Sequence, residues 1–189
     1  MTKLVKLGLA SIITAGSLFG ATYNVDPSHT NVGFKVKHLM ISYVRGNFEK
    51  FDGSFEYDEK TGTIKSVQGT VESNSINTDN KKRDKHLKSA DFFDVKKYPK
   101  LTFKAEKIEN NKAYGKLTIK GVTKDVVFDI EKTGEILDPW GNQRIALEIE
   151  GKINRTDYGL NWNKTLEAGG IMVGEEVKID IVIEGVLAK

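Results

Sequence analysis

The stretch VKIDIVIE, residues 177–184, decides the fold. Val177, Ile179, Ile181 and Ile183 alternate with Lys178, Asp180, Val182 and Glu184. A period of two puts successive side chains on opposite faces of an extended chain, so this segment reads as a strand with one apolar face. The same rhythm continues upstream. Ile145, Leu147 and Ile149 alternate with Ala146 and Glu148, while Val126, Phe128 and Ile130 share a face, as do Leu117 and Ile119. Leu101, Phe103 and Ala105 repeat the pattern, and so do Val67, Gly69 and Val71. Phe51, Gly53, Phe55 and Tyr57 come before them, then Val32, Phe34, Val36 and His38, and a short strand at Tyr23–Val25. Turn signals punctuate these runs at Thr61-Gly62, Asn110-Asn111, Lys120-Gly121, Thr133-Gly134 and Pro139 to Gly141.

Eight such strands, with the short one besides, must hide their apolar faces in a sandwich or a closed barrel. Long strands joined by short turns favour an all-β, antiparallel, eight-stranded β-barrel. One helical insertion is expected over Asn77–Lys97, where Arg83, Lys85, His86, Leu87 and Lys88 show no alternation and Asp79 or Asn80 offers a cap. The second face of nearly every strand carries Lys, Glu or Asp. A lipid-facing wall would lose ~2–4 kcal/mol for each such charge at mid-membrane, so the barrel is wet outside and apolar inside. An interior of eight strands is filled by side chains or holds one small ligand.

The 189 residues fit one domain. Residues 1–20 read as a secretory signal peptide and 21–189 as the mature barrel. Lys3 and Lys6 make a basic start, and LGLASIITAGSLFG (7–20) is an uncharged run of 14 residues, short of the ~20 that span a bilayer. The protein is therefore expected to be exported. Removing the leader takes two lysines and no acid, leaving 27 basic and 26 acidic side chains. A charge that close to zero exerts no general pull on nucleic acid. With no cysteine, thiolate metal sites, thiol nucleophiles and disulfides are excluded.

Nothing in the chain has the pattern of an enzyme active site. There is no G-x-S-x-G elbow, no glycine-rich phosphate loop before a helix, and neither HxH nor HExxH. No catalytic residue, cofactor or metal is expected. Gly169, Gly170 and Gly174 read as turn or bulge glycines. His38 ends an apolar strand face, as a hydrogen-bonded core histidine or as a polar contact at a cavity mouth. The densest charge run, Lys81 to Lys88, is either a solvated helix face or a cationic lip. On a helix Arg83 and His86 would share a face, and Asp84 would reach Lys88.

Taken together, four segments resemble the YceI-like family of bacterial lipid- and polyisoprenoid-binding proteins. They are DPSHTNVGFKVKHLMISYVRGNFEKFDGSFEYD (26–58), RDKHLKSADFFDVKKYP (83–99), GKLTIKGVTKDV (115–126) and DYGLNWNKTLEAGGIMVGEEVKIDI (157–181). The match runs in order over essentially the whole mature chain. The resemblance implies a lipocalin-like barrel in the periplasm with a tunnel for a long isoprenoid or fatty chain, and it carries over no catalytic residue. The residues expected to bind the ligand are Val32, Phe34, Val36, His38, Phe48, Arg83, His86, Phe92, Leu101, Phe103, Trp162, Ile179 and Ile181. His38, Arg83 and His86 are expected near the head group. A strand of ten residues spans ~33 Å, close to the ~30 Å hydrocarbon core of a bilayer. Moving a tail from membrane to barrel is then nearly neutral, and the polar end would set selectivity. The expected partner is a long-chain isoprenoid or fatty lipid, with monomer and homodimer both open. An enzyme acting on such a lipid and a stress-related interaction protein with a solid core are the alternatives.

Overall fold

The structure, a computed structural model, describes residues 20–167 and 169–189. The leader expected over residues 1–20 lies, Gly20 excepted, outside the described residues. The strands in chain order are β1 (Ala21–Val25), β2 (Asn31–His38), β3 (Ser42–Phe48), β4 (Phe51–Asp58), β5 (Thr63–Glu72) and β6 (Ile76–Asn77). The helix α1 (Lys81–Leu87) follows, then β7 (Lys100–Glu109), β8 (Lys112–Ile119), β9 (Val122–Leu137), β10 (Gln143–Asn154) and β11 (Val173–Leu187). Every pairing is antiparallel. β1, β4, β5, β7, β8, β9, β10 and β11 form a ring that closes where β1 lies against both β4 and the end of β11. The fold is an eight-stranded barrel, as the alternation predicts, but the short β1 takes the place in the ring expected for β2, which pairs outside it on β11.

One edge of β11 pairs with β10, and the other is long enough to serve two partners. Gly185 to Leu187 pair with β1, while Val173 to Val182 pair with β2. β2 turns back into β3, and β6 caps β3. The alternating strand directions send the turns at 59–62, 110–111 and 138–142 to one pole, together with residue 20 and Leu187. The β2–β3 turn, α1 and the segment 155–172 gather at the other.

The two halves of the interior differ. Near the first pole Tyr23, Phe55, Tyr57, Phe128, Ile130, Ile145 and Leu147 are buried in one cluster. Tyr23 stacks on Phe55 with ring centroids 5.3 Å apart. Phe128 lies against bare backbone at Gly151, where a Cβ would sit 2.2 Å from the ring, so only glycine fits there. This half is a plug. A second cluster, with Phe48, Ile76, Phe92, Leu101, Ile119, Tyr158 and Leu160, closes over the other half from the sides.

Three expectations are corrected. The helix occupies only Lys81–Leu87, with Asn80 as its cap accepting from the Arg83 amide at 3.0 Å. Beyond Leu87 the chain folds over the pole instead, which buries Phe92 and sets Phe93 edge-on to Phe48 at 5.9 Å. Thr133-Gly134 is not a turn but a bulge inside β9, where pairing with β10 jumps from Lys132 to Gly134. β3 and β6 are additional strands; in β3 the inward position between Val44 and Phe48 is Gly46, over which the Phe34 ring lies.

Candidate ligand-binding site

Above the plug the barrel holds an apolar cavity of about 210 Å³. Val32, Phe34 and Val36 of β2 line it with Phe48 of β3, Leu101 and Phe103 of β7, Ile179 and Ile181 of β11, and Phe92. The strand residues converge because each occupies an inward position of its strand, and Phe92 joins them from the segment that follows α1. Phe128 lies at its floor. Phe34, Val36, Leu87, Phe92 and Val173 also wall a second cavity of about 610 Å³ at the pole, so the inner space adjoins this mouth. His38, Arg83, His86 and Trp162 line the mouth. The expected contact residues thus all fall on one of two adjoining cavities.

The mouth has an aromatic side and a cationic side. His86 stands edge-on to Phe92 at 5.1 Å and to Trp162 at 4.7 Å. Its Nε2 donates to Asp91 Oδ2 at 3.0 Å, which orients the ring. Lys37, Lys82, Arg83 and Lys85 line the same space, and among the described residues no Asp or Glu does.

Arg83 is less free than the sequence suggests. Its Nε donates to Thr78 Oγ1 at 2.7 Å and one terminal nitrogen donates to the Thr78 carbonyl at 2.6 Å. Thr78, itself buried, donates its hydroxyl to Asp84 at 2.5 Å and its amide to the same oxygen at 3.0 Å. Asp84 therefore serves the β6–α1 junction rather than Lys88. The guanidinium packs the helix down and still presents an edge to the mouth.

Sequence reasoning missed Arg155. It is 3% exposed and borders the inner cavity. Its guanidinium donates to the carbonyls of Gly174 at 2.9 Å, Val173 at 3.2 Å and Leu160. Burial pushes its pKa below the ordinary arginine value, against a smaller opposing pull from Glu175. These bonds join both ends of the loop that carries Trp162. No period or motif marks such a residue; a lone arginine after a strand looks like any surface cation.

A second polar network lies away from the mouth. Arg144 reaches Asp26 at 2.8 Å, Asp138 at 2.7 Å and Glu184 at 2.6 Å. Hydrogen bonds from Ser28, Arg144 and His29 hold Asp26 well below the usual carboxylate range. Burial would raise Asp138, but bonds from Arg144 and Asn142 outweigh it and hold that carboxyl far below the usual range too. Asp26, His29 and Glu184 place donor atoms within 4.8 Å of one another, as a metal site would. Arg144 already occupies both carboxylates with a fixed positive charge, so the geometry suits an internal ion-pair network better than a cation.

A family model described as a YceI-like domain matches residues 23–185. The UPF0312 protein SA2479 of Staphylococcus aureus (strain N315) is 40% identical over 163 residues, covering 86% of this chain and 95% of that protein. A YCEI protein of Campylobacter jejuni is 36% identical with a TM-score of 0.70, over 87% of this chain and 96% of that one. A polyisoprenoid binding domain from Saccharophagus degradans shares the fold, with a TM-score of 0.63 at 15% identity over 89% of this chain and 99% of that one. With a family model spanning nearly the whole barrel and relatives this similar, the chain belongs to the YceI-like family.

Proposed function

We propose that this protein is a periplasmic carrier for a long-chain amphiphilic lipid, a polyisoprenoid, isoprenoid quinone or fatty-acid derivative, exported by the leader at residues 1–20. The observation that carries the reading is the pairing of the two cavities: an apolar chamber inside the barrel adjoins a mouth lined by four cations and, among the described residues, no carboxylate. The tail lies against Phe34, Phe103, Ile179 and Ile181 and ends above Phe128. The head group sits at the mouth, where acid-free cationic walls favour phosphate or carboxylate oxygens. Together the two spaces fall in the range of ordinary ligand sites, ~300–1,000 Å³. The structural neighbour from Saccharophagus degradans, described as a polyisoprenoid binding domain, supports the choice of ligand class. The role is binding rather than catalysis: at the mouth Arg83 is bonded to Thr78 and His86 to Asp91, and the lysines beside them are suited to attracting an anionic head group.

Mass spectrometry of lipid extracted from protein purified out of its native periplasm tests the reading. One amphiphile in near-stoichiometric amount, bound to a chain lacking about twenty N-terminal residues, is the expected result. An empty barrel, or full-length chain held in the inner membrane, would overturn it. Chemical conversion of the extracted lipid on incubation with fresh protein would favour an enzyme instead.

A further inference from the structure

We infer that the β2–β3 hairpin docks on the surface of an anionic phospholipid bilayer, with its tip inserted and its outer face against the lipid phosphates. The partner surface is argued from the outside of the barrel and makes no assumption about which lipid the cavity holds. At the tip, Ile41 is 85% exposed and Met40 48% exposed, beside Tyr43 at 44%. Leu39 and Met40 both hold left-handed backbone, with φ of 51° and 62°, a conformation residues of their type seldom adopt. Folding gains nothing from presenting large apolar side chains on such a turn.

Behind the tip, the outer face carries a row of like charges. Register places Lys178 of β11 opposite Lys35 of β2, and Lys35 opposite Arg45 of β3. Like charges directly opposite on neighbouring strands disfavour the sheet. Among the described residues no carboxylate oxygen lies within 4.0 Å of these three cations or of Lys37. An apolar wedge with cations behind it is the composition of a segment lying in a membrane interface beside anionic head groups. The inner face of the same hairpin supplies Val36, His38 and Val44 to the mouth, so docking sets the opening directly at the bilayer.

The opposite pole provides the contrast. Trp140, Ile136 and Leu137 are also exposed there, at 80%, 64% and 64%. Glu135 and Asp138 beside them are paired with Lys132 and Arg144, so the cations nearest these side chains are already neutralised and add little pull toward an anionic surface.

Flotation with phosphatidylcholine–phosphatidylglycerol vesicles, and with pure phosphatidylcholine vesicles, at low and high salt, tests the proposal. The protein should float with the anionic vesicles at low salt, and much less at high salt or with neutral ones. The double variant Lys35→Gln/Arg45→Gln should lose about fivefold in affinity per charge removed, and Ile41→Asp at least about tenfold. Trp140→Asp should bind like the parent protein. If Ile41→Asp fails to fold, Ile41→Ser carries the same readout. Absence of binding to anionic vesicles would overturn the proposal, as would equal loss in Trp140→Asp. A dimer seen by light scattering without vesicles, and dissolved by Ile41→Asp, would assign the hairpin to a second copy of this chain and overturn it as well.

Discussion

Phe128→Ala would remove the floor of the inner cavity. The ring is 3% exposed, lies over Gly151 and sits 5.3 Å from the Phe103 ring. Because bare backbone is packed against it, its neighbours have little room to collapse into the space it leaves. Truncating a buried Phe costs ~3–5 kcal/mol, against a total stability of ~5–15 kcal/mol, so the binding assay is run well below the variant's melting temperature. For a chain of this length the melting temperature falls ~2–4 °C per kcal/mol, or roughly 6–20 °C in all. The functional effect has the opposite sign for long tails. Each further methylene withdrawn from water contributes ~0.8 kcal/mol, which is about fourfold in affinity. A homologous series of fatty acids, each displacing a fluorescent fatty acid in water, reads this directly. The parent protein should gain affinity with chain length up to the point where the tail meets Phe128 and then level off. The variant should continue to gain beyond it. A variant with the expected loss of stability and an unchanged chain-length profile would show that the tail does not run toward Phe128.

Three further outcomes separate the parts of the molecule. Leu147→Asp places a carboxylate in the plug, where Leu147 is 0% exposed, and should abolish folding; Ile181→Asp faces the cavity and should be the milder change, seen as a smaller drop in melting temperature. Equal losses would mean that the interior is uniformly solid. Arg83→Ala deletes two charge-assisted bonds to Thr78, each contributing ~1.5–3 kcal/mol, so the empty protein should melt several degrees lower; lipid retention should fall by more than the unfolded fraction accounts for, and a strictly proportional loss would make Arg83 a packing residue only. Asp26 and Asp138 have folded pKa values below their unfolded ones, so their contribution is fully present above ~pH 5 and fades progressively as the pH falls below that toward the lowered folded values. Arg144→Met should flatten that acid limb of the stability curve, and an unchanged limb in denaturant titrations across this range would place the acid sensitivity elsewhere.

The barrel was legible because its strands keep a strict inward–outward alternation over many residues, most plainly at Val177 to Ile183. β3 broke the signal at Gly46, where the interior volume is supplied by Phe34 from the neighbouring strand. A one-dimensional pattern does not show a side chain borrowed across a sheet. The helix was overextended because residues 88–97 lack alternation for a different reason: they fold back so that Phe92 and Phe93 reach the barrel. Thr133-Gly134 has turn composition, but β10 holds it in register on both sides, and the extra residue becomes a bulge. The residues around the cavity could be named from the sequence because apolar inward positions of a barrel share one interior. Arg155 could not, since its buried state depends on carbonyls of Val173 and Gly174 that come nearly twenty residues later.

The two ends of the described chain emerge side by side at the plugged pole, where the Ala188 amide donates to the Thr22 carbonyl at 2.8 Å. An affinity tag, bead or sensor surface attached after Lys189 therefore leaves the mouth and the β2–β3 hairpin pointing into solution. The chain has no native cysteine, so a single thiol introduced at that pole gives one chemically defined attachment point. Every molecule on a chip would then be presented in the same orientation, and exchange of lipid between the surface and vesicles flowed over it becomes measurable without labelling the lipid.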